Sequence, residues 1–204
     1  MLIVLEGIDG SGKSTLARVL AQALRDSALD VLETREPWTS APGIELRRLL
    51  SQTDRTTTPE QELELFQADR QEHVRERVQP ALDAGAWVVQ DRTFYSTAAY
   101  QGAVGLEVEQ ILEQSRRIAP EPDLVLWLAL APKTALQRVG SRGAATNFEQ
   151  LDNLEKVDAI YQQIADHQDN FMRVDATPAL AEVQQAMLEA CRLRLGQPHR
   201  KSDA

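Results

Sequence analysis

Short apolar runs along the chain alternate with longer segments in which apolar side chains recur every three or four residues. The short runs have the length of strands, and they lack the strict alternation of a sheet with one solvated face. Such runs are typical of strands that are buried on both faces of a parallel sheet. The strands predicted in this way are 2–5, 31–34, 87–90, 124–130 and 171–174.

The segments between these runs have the periodicity of helices. Thr58, Pro59 and Gln61 form a typical helix start, with an N-cap, a proline in the first turn and a glutamine three residues after the cap. Alternating strands and helices predict an α/β fold with helices on both faces of the sheet. The predicted helices are 13–25, 43–51, 59–84, 96–100, 107–118, 132–139, 150–168 and 178–195.

A glycine-rich loop joins the first predicted strand to the first predicted helix. It matches Gly-x-x-x-x-Gly-Lys-[Ser/Thr], in the strand–loop–helix context that this phosphate-binding motif requires. Glycines let backbone N–H groups point at phosphate oxygens, and the following helix adds its positive end. Lys13 is expected to reach the β- and γ-phosphates and Ser14 to hold Mg²⁺. The predicted nucleotide-binding residues are Gly7, Ile8, Asp9, Gly10, Ser11, Gly12, Lys13, Ser14 and Thr15.

Together with this loop, the alternation of predicted strands and helices predicts a three-layer α/β/α P-loop NTPase fold with a five-stranded parallel sheet. Its ligands should lie at the carboxyl ends of the strands. A glycine-rich turn that binds no ligand is the alternative interpretation of the loop.

Asp91 and Arg92 follow the third predicted strand. A charged pair at the end of a buried strand is unfavourable unless it is paired or functional. Asp91 is expected in the Mg²⁺ shell, directly or through water, and Arg92 on a second phosphate. The alternative is a structural Asp–Arg pair.

Composition restricts the class of protein further. The chain has 204 residues and a net charge of −9, which argues against binding a nucleic-acid polymer. No apolar run is long enough to span a membrane. Cys191 is the only cysteine, so a reducing, cytoplasmic location is expected. His73, His167 and His199 are scattered, and we expect them on the surface. One domain, 1–196, is predicted, followed by a polar tail, 197–204.

Four segments resemble the thymidylate kinases, a family of P-loop nucleoside monophosphate kinases. They are 6–15, 34–37, 65–70, and a segment that begins at Asp91-Arg92 and includes Ser96, Ala99, Tyr100 and Gln101. Residues 120–124 and Asp175-Ala176 also fit. The resemblance implies phosphorylation of dTMP to dTDP by ATP with Mg²⁺, and a homodimer that forms through helices on one face of the sheet.

The resemblance also implies how each acceptor-site residue is used. Phe66 would stack on thymine, with Arg70 on its carbonyl edge. Thr97 would face the polar edge of the base, and Tyr100 would pack by the sugar and disfavour a 2′-hydroxyl. Phe66 as a core residue beside a solvated Arg70 is the alternative.

Other residues would hold the rest of the acceptor. Asp9 would lie near the sugar 3′-hydroxyl and the metal. Arg35 and Arg92 would hold the phosphate, and Glu36 would orient these arginines or bind the metal through water. A simple strand-exit turn at 35–37 is the alternative. Pro37, Ser96 and Gln101 complete the predicted substrate-binding set.

Family members take a catalytic arginine from the phosphate loop or from a lid. Because position 10 is glycine, the lid, predicted at 138–150, must supply it here; Arg142 is the first choice and Arg138 the second. Both are expected to contact ATP. Lys13, Arg92, Asp91 and Asp9 complete the predicted catalytic set. Thr146-Asn147 and Trp38 depart from the family pattern.

These departures leave other functions open. The chain could phosphorylate another monophosphate such as dUMP, or it could be a nucleotide-dependent regulatory protein or a degenerate kinase kept for binding. The absence of an Asn-Lys-x-Asp element speaks against a GTPase.

Overall fold

Five parallel strands form one sheet in the order β2-β3-β1-β4-β5. This computed structural model describes residues 1–52, 57–140 and 147–195. The predicted strands are confirmed, and each ends within one residue of its expected position. Their bounds are β1 Leu2–Glu6, β2 Val31–Arg35, β3 Trp87–Asp91, β4 Leu124–Ala129 and β5 Phe171–Asp175.

Helices occupy the predicted segments between the strands. A π-helical turn, Val74–Val78, separates α3 from α4, where one continuous helix was predicted. The Thr58 cap of α3 is confirmed, since its hydroxyl accepts from Gln61 N and the Gln61 side chain accepts from Thr58 N. The bounds are α1 Lys13–Asp26, α2 Ala41–Leu50, α3 Pro59–His73, α4 Gln79–Asp83, α5 Phe94–Ala103, α6 Val108–Arg116, α7 Pro132–Val139, α8 Asn147–Asp166 and α9 Leu180–Leu195.

Packing of the sheet follows from the apolar runs. Every residue of β1 and β4 is buried, as strands covered on both faces require. Helix α1 packs on the sheet and contacts α9, whereas α5 packs against α6 and α8. Within the described ranges, no helix is long and apolar enough to cross a membrane. The predicted tail, 197–204, lies outside the described residues.

The sheet order brings three charged strand ends together. β1 is central, and Leu5 near its end pairs with Asp91 of β3. Arg35 of β2 pairs with the same Asp91 from the other side. The phosphate loop leaves β1 at this edge, so the predicted nucleotide and acceptor residues converge there.

Candidate active site

The phosphate loop has the backbone that its glycines predict. Gly7, Gly10 and Gly12 have positive φ angles of 139°, 90° and 93°. Gly12 is the N-cap of α1, and its lack of a side chain means that no side-chain cap covers the first N–H groups of the helix. A helix start of this kind leaves N–H groups available to an anion.

Lys13 lies inside the curl of the loop. Its Nζ donates to the carbonyl of Ile8 at 2.9 Å, and the residue is 6% exposed. Burial, followed by the positive charge of Arg92, lowers the pKa of Lys13 to about 7. A phosphate group at this position would therefore supply the negative charge that favours the ammonium form.

Ser14 and Asp91 meet beside the loop, as the magnesium prediction requires. The Ser14 hydroxyl donates to Asp91 Oδ2 at 2.5 Å. Asp91 Oδ1 is buried and has no hydrogen-bond partner among the described residues. A hydroxyl and a carboxylate with a spare oxygen fit Mg²⁺, which binds few protein ligands and takes the rest from phosphate and water. No cluster of three or more His, Cys, Asp or Glu that could hold a metal occurs in the described ranges.

Arg92 lies between the phosphate loop and the α5 residues Ser96 and Tyr100. Its guanidinium donates to Asp9 Oδ1 at 2.7 Å, to Ser96 Oγ at 2.7 Å and to the carbonyl of Gly7 at 3.4 Å. It also lies over the ring of Tyr100, 5.1 Å from the centroid. Arg92 pairs with Asp9 rather than with its sequence neighbour Asp91, so the simple Asp–Arg pair considered above does not form.

Glu36 pairs with Arg70, whereas the family resemblance implied that it would orient Arg35 and Arg92 or bind the metal through water. Arg70 Nη2 donates to Glu36 Oε2 and to Thr97 Oγ1, both at 2.8 Å. Both side chains of this ion pair are almost fully buried. Burial acts to raise the pKa of Glu36, but the charge of Arg70 and the contact with His73 bring that pKa below its ordinary value. Arg35, in contrast, is exposed.

The prediction of surface histidines is wrong for His73. Its side chain is fully buried, with Nε2 2.7 Å from Thr34 Oγ1 and Nδ1 3.3 Å from Glu36 Oε1. The ring also stacks on Trp38. His73 follows Arg70 by three residues on α3, so the helix turns both side chains toward the buried Glu36. His167 is exposed, and His199 lies outside the described residues.

A cavity of about 510 Å³ opens beside Arg92. Its size is in the range of small-molecule sites. Seven predicted residues line it: Asp9, Pro37, Phe66, Arg92, Ser96, Tyr100 and Gln101. Seven others were not predicted: Leu50, Glu62, Val104, Leu136, Val139, Asn153 and Leu154. Most of these seven residues are apolar, and their spacing in the sequence indicates residues of the hydrophobic core rather than residues of a binding site. Arg70 and Thr97 do not line the cavity, and both are buried.

Of the two candidate lid arginines, only Arg138 lies within the described residues. Arg138 donates to the carbonyls of Ala176 and Thr177, at 3.0 and 3.2 Å, so it contacts the loop after β5. Arg142 lies outside the described residues, as do the other residues of 141–146 in the predicted lid. Gly10 leaves no room for a side chain, because a Cβ there would lie 2.8 Å from the carbonyl oxygen of Ala135.

Sequence reasoning missed Glu6 and Tyr161. Glu6 is fully buried at the end of β1 and accepts hydrogen bonds from Thr93, Ser96 and Tyr161. The signal for Glu6 existed, because it is a carboxylate at the end of a buried strand, as Asp91 is. Nothing local distinguishes Tyr161 from a core tyrosine of α8.

The first strand of the parallel sheet leads into a Gly-x-x-x-x-Gly-Lys-Ser loop, and a cavity opens next to that loop. This combination is typical of the P-loop kinases. Comparison with known proteins specifies the family. The sequence model of the thymidylate kinase family matches residues 5–187 of this chain. The chain belongs to this family.

Similar curated proteins carry the same name. The chain is 40% identical over 185 residues to a "Probable thymidylate kinase" of Archaeoglobus fulgidus, with 91% of each chain covered. It is 45% identical over 166 residues to a thymidylate kinase of Desulfotalea psychrophila, covering 80% of this chain and 81% of that one. A thymidylate kinase of Xylella fastidiosa is 40% identical over 201 residues, covering 96% and 94%.

Proposed function

We propose that the chain transfers a phosphoryl group from ATP to dTMP and so produces dTDP. Its membership of the thymidylate kinase family supports this reaction. The observation that carries the proposal is the place of Arg92. It contacts the carbonyl of Gly7 in the phosphate loop and also lines the 510 Å³ cavity. A cation there can neutralise charge that develops between a donor and an acceptor phosphate.

On the donor side, the loop backbone and Lys13 would hold the phosphates of ATP. Ser14 and Asp91 would hold Mg²⁺, which neutralises charge on the transferring phosphate when bound. Ser14 and Asp91 already touch, and Asp91 Oδ1 is buried with no partner in the described part of the chain. These two residues therefore need little rearrangement to bind a cation.

On the acceptor side, the half-buried Phe66 offers a ring to the thymine base inside the cavity. Tyr100 and Asp9 are hydrogen-bonded to each other there and would face the sugar. Arg92, with Arg35 from the neighbouring strand, would take the acceptor phosphate. Pro37 and Gln101 would complete the walls around the base.

Arg70 and Thr97, which are buried next to the cavity-lining Phe66, Ser96 and Gln101 in their helices, would present polar atoms to the edge of the base. Glu36 holds Arg70 by two hydrogen bonds of 2.8 and 3.0 Å, so the guanidinium keeps one orientation. A donor that is fixed before binding loses little conformational entropy when the base arrives. The role of Glu36 in this proposal is therefore to orient Arg70.

Transfer itself needs positioning and charge neutralisation more than covalent help. Lys13, Mg²⁺ and Arg92 supply part of the positive charge. We assign the remaining catalytic cation to Arg142, because position 10 of the loop is glycine and Arg138 contacts the carbonyls after β5.

A panel of nucleoside monophosphates tests the acceptor, with ATP as donor and ADP release as the readout. We expect dTMP to give the highest kcat/KM. A clearly higher value for dUMP or another monophosphate would overturn the dTMP assignment. Absence of steady turnover with every acceptor would instead support a binding protein that has lost catalysis.

The proposal extends to assembly and location. We propose a homodimer that forms through helices on one face of the sheet, and a cytoplasmic location in which Cys191 stays reduced. Light scattering of the purified chain over a range of concentrations tests the dimer. A mass equal to one chain throughout that range would contradict it.

A further inference from the structure

Glu6 is a buried carboxylate that holds the start of α5. Its Oε1 accepts from the backbone N–H of Thr93 at 2.7 Å and of Ser96 at 3.2 Å. Its Oε2 accepts from the Ser96 hydroxyl at 2.5 Å. Because the residue is fully buried, which raises its pKa, these bonds replace water as the partners of its carboxyl group.

Arg92 depends on the same turn. Its φ angle is +69°, a conformation that residues other than glycine adopt only when the surroundings impose it. Glu6 binds Thr93, which directly follows Arg92, and Ser96, which lies four positions after Arg92. Ser96 Oγ also accepts from Arg92 Nη1 at 2.7 Å, so one hydroxyl joins Glu6 to the guanidinium.

Tyr161 closes this arrangement from a different element. Its hydroxyl donates to Glu6 Oε2 at 2.8 Å and lies 2.9 Å from Ser96 Oγ. The tyrosine is fully buried on α8 and is separated from Glu6 by 155 residues of sequence. The single Ser96 hydroxyl proton goes to Glu6, so Tyr161 is a further hydroxyl donor to that carboxyl group, beside Ser96 and Thr93.

We propose that Tyr161 is a positioning residue for the kinase reaction, which holds Arg92 in place for the acceptor phosphate through Glu6 and Ser96. The inference rests on the proposed function, in which Arg92 binds that phosphate. Tyr161 does not touch the substrate in this arrangement. Its effect should be largest on the phosphate of the acceptor, because Ser96 connects it to the guanidinium of Arg92, whose other contacts are with Asp9, Tyr100 and the carbonyl of Gly7.

Tyr161→Phe removes the hydroxyl and keeps the buried ring. We expect the affinity for dTMP, measured by calorimetry, to fall about tenfold, because a hydrogen bond to a buried carboxyl group is lost. The affinity for thymidine, which lacks the phosphate, should change less than about twofold. The KM for dTMP should rise, while the KM for ATP stays unchanged.

Tyr95→Phe is the matched control. Tyr95 is also buried, lies on α5 next to Ser96, and donates its hydroxyl to a glutamate, Glu121, at 2.7 Å. That glutamate lies outside the cavity, so both affinities should stay near their wild-type values. Ser96→Ala removes the hydroxyl that contacts Arg92 directly. If Tyr161→Phe does not fold, the affinities for dTMP and thymidine are compared in Ser96→Ala instead.

The outcomes separate two failures. If Tyr161→Phe weakens thymidine as much as dTMP, or behaves as Tyr95→Phe does, the positioning role is wrong. In the double variant, Tyr161→Phe should add little to Ser96→Ala, and full additivity would also contradict the proposal. If wild-type protein binds dTMP no better than thymidine, the proposed phosphate site itself fails, whatever the variants do.

Discussion

Four buried ionisable side chains show how charge is arranged in this site. Glu6, Lys13, Asp91 and Glu36 are all less than 10% exposed. Each contacts a group of opposite charge or a hydrogen-bonding atom, as buried charges require. Their removal should therefore affect binding, chemistry or stability according to what each one contacts.

Lys13→Ala should lower kcat by at least about 100-fold, because a charge directed at the transferring phosphate is lost. Steady-state turnover with saturating dTMP and ATP measures the effect. Lys156→Ala is the control, since Lys156 forms an exposed ion pair with Asp152 on α8. Near-normal turnover of Lys13→Ala would contradict the role of the phosphate loop.

Glu36→Gln should lower the free energy of unfolding by about 3 kcal/mol at pH 7, because Arg70 would keep its charge in a buried position. Urea unfolding measures this. Glu45→Gln removes the same kind of pair with Arg48 at the surface, where solvent screens it, and unfolding should not change measurably.

The pH dependence of the same pair has a definite sign. The folded protein lowers the pKa of Glu36 below its ordinary value of 4.5. The stabilisation is therefore complete above pH 4.5 and is lost as the pH falls through the lowered pKa. Wild type and Glu36→Gln should converge in stability in strong acid. A gap that widened on acidification would contradict the assignment.

At the scale of elements, the phosphate loop is packed against α7. A Cβ on Gly10 would meet the carbonyl oxygen of Ala135 at 2.8 Å, and a Cβ on Gly7 would meet that of Leu128 at 2.7 Å. The glycines of the loop therefore serve close approach as well as positive φ. This packing explains physically why the loop of this chain cannot carry a catalytic arginine at position 10.

Gly10→Ala and Gly85→Ala separate these two effects. Both glycines have positive φ, 90° and 77°, but a Cβ on Gly85 would meet nothing within 4 Å. Gly85→Ala should cost about 1 kcal/mol of stability from backbone conformation alone. Gly10→Ala should cost more and should weaken ATP binding, as measured by unfolding and calorimetry. Equal costs would mean that the contact with α7 is unimportant.

Alanine variants of the two lid arginines should differ in how far kcat falls. Arg142→Ala should lower kcat by about 100-fold while ATP affinity changes little, because a lid arginine acts mainly on the transition state. Arg138→Ala should lower kcat less, since Arg138 donates to the carbonyls of Ala176 and Thr177. An equal loss of kcat with Arg138→Ala alone would reverse the assignment.

At the scale of the whole molecule, the sheet order decides where chemistry can occur. The phosphate loop follows β1, and Asp91 and Arg92 follow β3, which pairs with β1. Ligand sites of open α/β sheets lie outside the carboxyl ends of the strands, at a crevice of this kind. The cavity and the loop therefore share one edge, so binding at either should stabilise the whole domain.

Cys191 offers a probe of that stability. It is buried on α9, and burial raises the pKa of its thiol to about 12. The thiolate is the reactive form, so modification near pH 8 should require unfolding. Saturating dTMP and ATP should slow the reaction of Cys191 with a thiol reagent. A fast rate that is insensitive to ligands would indicate an accessible thiol.

The local parts of the fold were predictable because local patterns determine them. Strand bounds follow apolar runs, and the start of α3 follows the capping residues around Thr58. Helix periodicity also placed Phe66 and Arg70 on one face of α3. It could not show that Phe66 lines the cavity while Arg70 is buried and does not, because that depends on how α3 packs against α5 and the end of β2.

The sequence by itself determined the α/β class, the phosphate loop and half of the side chains that line the cavity beside Arg92. Only the tertiary structure decided that Glu36 pairs with Arg70, that His73 is buried, and that Tyr161 reaches Glu6. The reason is physical: each of these contacts joins residues from different elements, up to 155 positions apart. Local propensity and periodicity set each element, whereas the pairing of buried charges depends on how the elements pack.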